Sequence, residues 1–388
     1  MKATLTTLTP VHIGNGTTYN KNIDFIQSEN KIGIIDEKKV LNLIGTENIN
    51  QWVSAIDKGG NEFINLLKQR GWNNELEHIS SRICELKNTK TKSTQLKEQY
   101  RTAINGACIP GSSLKGAIKT CIFDYLTSDD DFINQRKIDD LKTWKDSKDF
   151  KTGNNIRKNE KWSDSKTDNK IFGKTANEKS TRFLKIGDIH FGNINTNIIN
   201  IGILNKYYEK WDFKTGQQYY AESIPSGATA NFQMKIDTIL LVKNIEKYPS
   251  LWDSKKTEPF NNGVENLCEI INGSTISSLN FELATLENEN IDDNIKHTII
   301  NILKSLILEI KNRSKNEIII RIGANSGWRF TTAAWVLKLE EKMNDNQFNS
   351  LRSCIQKKDY SNMELWPKTR KISTDGQLFG FVKIKIHE

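Results

Sequence analysis

Polar and apolar residues alternate from the start of the chain. In "TLTTLTPVHIG" the apolar positions Leu5, Leu8, Val11 and Ile13 predict a first strand, which Pro10 and then Gly14, Asn15 and Gly16 break into a loop. "IDFIQSENKIGIID" predicts a hairpin turning at Glu29, Asn30 and Lys31. Residues 37–105 change to a mostly helical spacing, with amphipathic pieces at 63–67 and 76–86. "IPGSSLKGAIKTCIFDYL" then sets Leu114, Ile118, Ile122 and Tyr125 at helical intervals. "YYAESIPSGATANFQMKIDTILL" alternates again and turns at Pro225, Ser226 and Gly227. The strongest helix is "IDDNIKHTIINILKSLILEIKN", with Ile295, Ile299, Ile302, Leu303, Leu306 and Ile310 on one face and Asp292 and Asp293 favouring its N-terminus. A strand "EIIIRIG" runs into a glycine loop, "GANSGWRF", and a helix around "TTAAWVLKLEEK". In the closing strand, Val382, Ile384 and Ile386 share one face and Phe381, Lys383 and Lys385 the other.

This order predicts an α+β protein of two ferredoxin-like (RRM-like) units with antiparallel sheets. The expected division is 1–215 and 216–388. The first part carries a helical insertion at 37–100 and a long polar one at 127–180. That second insertion is rich in Lys, Asp and Asn, contains Trp144 and Trp162, and reads as a flexible interaction element.

The formal net charge of +9 favours a polyanionic partner, while a basic surface kept for solubility explains it equally. Five scattered cysteines without a C-x-x-C pair argue for a reducing compartment and against a structural zinc site. The first residues lack the apolar core of a signal peptide, and no apolar run is long enough to span a bilayer, so a cytoplasmic protein is expected.

"IPGSSLKGAIKT" invites comparison with a phosphate-cradling nucleotide loop. That loop needs Lys and Ser or Thr immediately after its last glycine. Here Ala117 and Ile118 follow Gly116, and Lys119 and Thr120 come two residues late, about 200° around a helix. The stretch reads instead as a helix start. Ser112 or Ser113 is the expected N-cap, and the free N–H groups with Lys115 would hold a phosphate.

Several segments, taken in order, resemble one family. "LTTLTPVHIGNG" is similar to its first strand and turn, and "IPGSSLKGAIKT" to its helix opening. "IFGKTANEKSTRFLKIGDIHF", with Asp188 at an aspartate position, is similar to its hairpin. "ESIPSGATANFQMKI" resembles a later strand, and "GANSGWRFTT" stands where a glycine-rich loop occurs. The family is the RAMP superfamily of CRISPR proteins, whose ferredoxin-like folds bind guide RNA. "WPKTRKISTDGQLFGFVKIKI" further resembles the ending of the fifth, backbone-capping subunits of type III-A CRISPR (Csm) effector complexes, with Phe381 where Trp is usual. The resemblance implies a non-catalytic subunit without cofactor or metal that binds the 3′ portion of the crRNA. Its implied partners are the repeating Csm backbone RAMP subunit, the small Csm subunit filament, target RNA within the complex, and host nucleases that trim the crRNA.

On this basis Ser112, Ser113, Lys115 and Lys119 are expected to contact RNA phosphates, which give affinity without sequence choice. Trp328 and Arg329 in the glycine loop are expected to stack on a base and pair with a phosphate. Lys368 and Arg370, in "PKTRK", are expected at RNA or a neighbouring subunit. His12 is read as a packing or RNA-contacting histidine. The enzymatic alternative is a RAMP endoribonuclease, metal-independent through His12 or metal-dependent through Asp24.

Overall fold

The computed structural model describes residues 1–87, 93–102, 106–128, 165–252, 254–261, 263–342, 348–349, 352 and 367–387. Residues 129–164 of the expected polar insertion, with Trp144 and Trp162, lie outside the described residues, as does Cys354.

Strand β1 (Lys2–Thr7) buries Ala3, Leu5 and Thr7; of the apolar positions expected for it only Leu5 lies within it, and Leu8, Val11 and Ile13 follow its end. Next come β2 (Gly14–Asn20), β3 (Phe25–Ser28) and β4 (Lys31–Ile35). β3 and β4 form the expected hairpin, with Glu29 at φ 50 in its turn. The expected loop at Gly14 is instead the start of β2, an exposed strand held by pairing with a later segment. Helices α1 (Glu37–Ile44), α2 (Ile49–Lys58) and α3 (Glu62–Gln69) follow, and the Asp36 carboxylate caps α1 by accepting from the N–H groups of Lys38 and Lys39.

The helical expectation fails beyond residue 76. Leu76–His78 is one short turn, and β5 (Ser80–Lys87), β6 (Gln95–Gln99), β7 (Arg101–Thr102) and β8 (Gly106–Ile109) are strands. Helix α4 (Gly111–Leu126) matches its pattern. Then come α5 (Ser165–Phe172), β9 (Leu184–Ile186), β10 (Ile189–His190), β11 (Asn197–Tyr207), β12 (Lys210–Phe213), β13 (Tyr219–Ser223) and β14 (Thr229–Ile236). The helices α6 (Thr238–Lys247), α7 (Ser254–Asn261), α8 (Gly263–Glu287) and α9 (Asp293–Lys311) precede β15 (Glu317–Arg321), β16 (Thr369–Ser373) and β17 (Phe381–Ile386). Asp292 and Asp293 lie at the N-terminus of α9 as expected, Asp292 as its N-cap and Asp293 in the first turn. The helix expected around Thr332–Lys342 is a 3-10 helix.

The chain is α+β. A five-stranded antiparallel sheet has the order β15-β17-β1-β14-β9, whose four strands β17-β1-β14-β9 have the arrangement of a ferredoxin-like unit. The second, larger sheet runs β2-β6-β13-β11-β5-β4-β3, with β12 and β16 also on β11. It is mixed, because β11 pairs parallel with β5 and β13 parallel with β6. The expected division at 215 is crossed by the first sheet, where β1 lies between β14 and β17. Val382, Ile384 and Ile386 join Leu5, Leu114, Ile118, Leu267 and Ile271 in the main core, while Phe381 faces Leu303, Ile307 and Trp211 on the other side. Each such fully buried aliphatic contributes about 1.5–3 kcal/mol, and this two-sided cover holds the first strand and the glycine loop in place. No helix among the described residues is long and apolar enough to cross a membrane.

Candidate nucleic-acid interface

The sheet brings the end of the first strand, the glycine loop and one face of α4 around an open cleft of about 670 Å³. The loop after β15 is fastened to the segment after β1 through its backbone. The Ala324 N–H donates to the His12 carbonyl at 2.9 Å, Ile322 N–H to the Gly380 carbonyl at 2.8 Å, and Gly380 N–H to the Pro10 carbonyl at 2.8 Å. A Cβ on Gly323, at φ +81, would lie 2.6 Å from the His12 carbonyl oxygen. Glycine here permits the contact that forms the cleft wall.

Helix α4 presents Ser113, Ala117 and Thr120 to the cleft, at intervals of four and three residues, and buries Leu114, Ile118, Cys121 and Ile122 behind them. Its expected N-cap is corrected. Pro110 occupies the cap position and no serine side chain caps the helix. The Asp188 carboxylate does so instead, accepting from the Gly111 N–H at 2.8 Å. A carboxylate at that helix start opposes a phosphate there, so the expected anion site is filled from within the chain. A Cβ on Gly111 would sit 2.3 Å from the Ile186 carbonyl oxygen. Gly111→Ala is therefore expected to cost about 1–3 kcal/mol, read from the urea midpoint; wild-type stability would contradict this docking of α4 on the turn between β9 and β10.

The other predicted residues separate into those at the cleft and those turned elsewhere. Ser113 and His12 line it; Ser112 is exposed beside it. Lys115 is half-buried away from the cleft, and burial lowers its pKa. Lys119 is corrected to an internal role: it pairs with Asp168 on α5, which also binds Lys179, and lies over the Phe172 ring. Trp328 is half-buried against the core. The expected phosphate contacts of Arg329 and Arg370 are likewise corrected, because both guanidiniums turn inward onto Glu282 of α8. Lys368 is half-exposed just before β16.

His12 is 1% exposed, its Nδ1–H donates to the Glu222 carbonyl at 2.6 Å, and burial lowers its pKa. Asp24 is on the β2–β3 turn, where it accepts from the Asn20 N–H, and is not part of the cleft. The two candidate catalytic residues are not brought together. No group of three or more metal-ligating side chains occurs among the described residues.

Two basic cleft residues escaped the sequence reading. Lys97 on β6 lies 4.1 Å from the centroid of the Tyr219 ring, and burial, then the nearby Lys371, lowers its pKa. Arg321 ends β15, and its guanidinium is held between the rings of Phe330 and Phe381 at 4.7 and 4.8 Å. No carboxylate among the described residues lines the cleft, whereas Thr17, Thr18, Ser113 and Ser326 line it with hydroxyls. Arg321 was visible as a basic residue ending a strand before a glycine loop. Lys97 was hidden in a stretch read as helical.

A cleft with cations and hydroxyls, and no carboxylate among the described residues, suits a phosphodiester chain. A search of curated proteins gave no match. A chain in the cryo-EM structure of a Csm–crRNA–target RNA ternary complex of a type III-A CRISPR-Cas system is similar, with TM-score 0.71 and 20% identity over 99% of this chain and 100% of that one. The crystal structure of T. onnurineus Csm5 is similar with TM-score 0.67 and 17% identity, over 98% of this chain and 99% of the other. At these identities the likeness is one of fold. The family model of the RAMP superfamily matches residues 4–330, which span both strands and the glycine loop that build the cleft, and the chain belongs to that superfamily.

Proposed function

We propose that this chain is a non-catalytic crRNA-binding subunit that caps the 3′-end side of a type III-A CRISPR effector backbone. The observation that carries the RNA-binding part is the cleft walled by Lys97, Arg321 and the glycine loop, which no carboxylate lines among the described residues. Its whole-length similarity to a chain of a Csm–crRNA–target RNA complex supports the setting, with the backbone RAMP subunit, the small subunit and target RNA as neighbours. The capping position and the recruitment of trimming nucleases rest on the resemblance of the C-terminal segment. Buried His12, with its Nδ1–H committed to a carbonyl, and remote Asp24 favour binding over cleavage.

The test uses the purified chain with labelled single-stranded repeat and target RNAs, with and without magnesium. Binding is expected to weaken linearly on a logarithmic salt scale, with a slope of about −0.7 per phosphate contacted, and the RNA is expected to stay intact. Cleavage that disappears in His12→Ala or Asp24→Ala would establish the endoribonuclease instead. In the reconstituted complex, crosslinks to the 5′ part of the crRNA alone would refute the capping position.

A further inference from the structure

Behind the glycine loop lies a second, narrower cavity. Arg329, Arg370, Lys371 and Arg321, which also borders the cleft, line it together with Asn325 and one carboxylate, Glu282. Arg370 Nε donates to Glu282 Oε2 at 2.6 Å, and Arg329 Nε lies 3.1 Å from Oε1. The side chains of Arg329, Glu282 and Arg370 are only 8%, 9% and 10% exposed. Arg321 has neutral partners, donating to the Phe379 and Asn325 carbonyls. Glu340, exposed on the 3-10 helix, adds a weaker field at Arg329. Burial lowers Arg321 to about 9 and Arg329 to about 10, so both stay charged at neutral pH. Among the described residues four basic side chains thus share one lining carboxylate.

The hydrogen bonding has the same bias. Arg370 Nη2 and Asn325 Nδ2 are buried without a hydrogen-bond partner, and Arg329 Nε faces Glu282 without the alignment of a hydrogen bond. All three are donors. Buried polar groups normally find partners. A water oxygen accepts from only two donors, whereas a monatomic anion accepts from all three. The void measures about 20 Å³, little more than the roughly 10–15 Å³ that one water-sized guest requires and too small for a phosphate.

We propose that this cavity binds one halide-sized inorganic anion, of the chloride class, held by Arg370, Arg329 and Asn325. The site acts on the cleft through the loop. Asn325 receives a hydrogen bond from Tyr219, the ring beneath Lys97, and Ser326 lines both cavities. The anion would hold the glycine loop in the shape that the cleft needs.

Two measurements on the full chain test this. Crystals soaked in bromide are expected to show an anomalous peak inside the cavity. In solution, the melting temperature is expected to rise saturably with chloride or bromide, relative to gluconate at equal ionic strength. Asn325→Gly keeps a residue suited to φ 64 and removes one donor, so the half-saturating halide concentration should rise about tenfold. Absence of the peak, an equal rise with gluconate, or unchanged half-saturation in the variant would each overturn the site.

Discussion

Glu222→Ala is expected to lower the unfolding free energy by about 3 kcal/mol, the largest loss expected of a single side chain here. Glu222 is fully buried on β13. Its Oε1 accepts from Thr196 Oγ1 at 2.7 Å, Arg82 Nε at 3.1 Å and Arg101 Nη1 at 3.2 Å. Its Oε2 accepts from Arg82 Nη2 at 2.9 Å and the Gln99 N–H at 3.3 Å. Alanine would leave two partly buried guanidiniums facing a void. Removing one partner of a buried pair costs about 3–5 kcal/mol. The lower end applies because the arginine side chains are 22% and 24% exposed and Arg82 keeps Glu98. Glu222→Gln retains shape and part of the bonding, and should cost less. Urea unfolding with an unchanged slope measures both. A loss below about 1 kcal/mol for alanine would contradict the network, since one ordinary hydrogen bond already accounts for that much.

Lys97→Glu is expected to weaken binding of single-stranded RNA by about 10–100-fold at low salt, the 1.5–3 kcal/mol of a charge-assisted hydrogen bond. The logarithmic salt dependence should become shallower by about one counterion. Lys97 lies over Tyr219 on the cleft wall near Lys371, and no lining carboxylate among the described residues neutralises it. Lys119→Glu, at a residue already paired with Asp168, is the comparison. It should perturb stability more than the salt slope. Fluorescence anisotropy across a salt series reads both variants. Unchanged affinity in Lys97→Glu would remove the cleft from the binding surface.

The misreading of residues 76–99 has a specific cause. Leu76, Ile79, Ile83 and Leu86 are spaced three, four and three apart, as on a helix face. In the fold, β5 buries Ser80, Cys84 and Leu86 on one face and exposes Ser81, Glu85 and Lys87 on the other, with Ile83 half-buried among them. Cys84 and Leu86 pack with Phe25 and Tyr220, while Ile83 packs with Val40 and Phe63. The burial alternates but the residue types do not, because Ser80 and Arg82 stand on the inner face and Ile83 on the outer one, so the apolar residues alone match a helical spacing. The same error hid Lys97, which becomes a cleft residue only once β6 pairs with β2 and β13.

The local signals carried far. Alternation placed β1, β14 and β17, the turn at Glu29 placed its hairpin, and Asp292 with its apolar face placed α9. Motif order along the chain was enough to indicate the superfamily. Those features depend on residues within a few positions of one another, where steric and capping preferences act. The charged side chains were decided otherwise. Arg370 meets a glutamate 88 residues away, Arg82 one 140 residues away, and the glycine loop meets the segment after the first strand through backbone contacts alone. A cation's role depends on whether a carboxylate is folded against it, and only the tertiary structure set Lys97 and Arg321 at the cleft while turning Lys119, Arg329 and Arg370 inward.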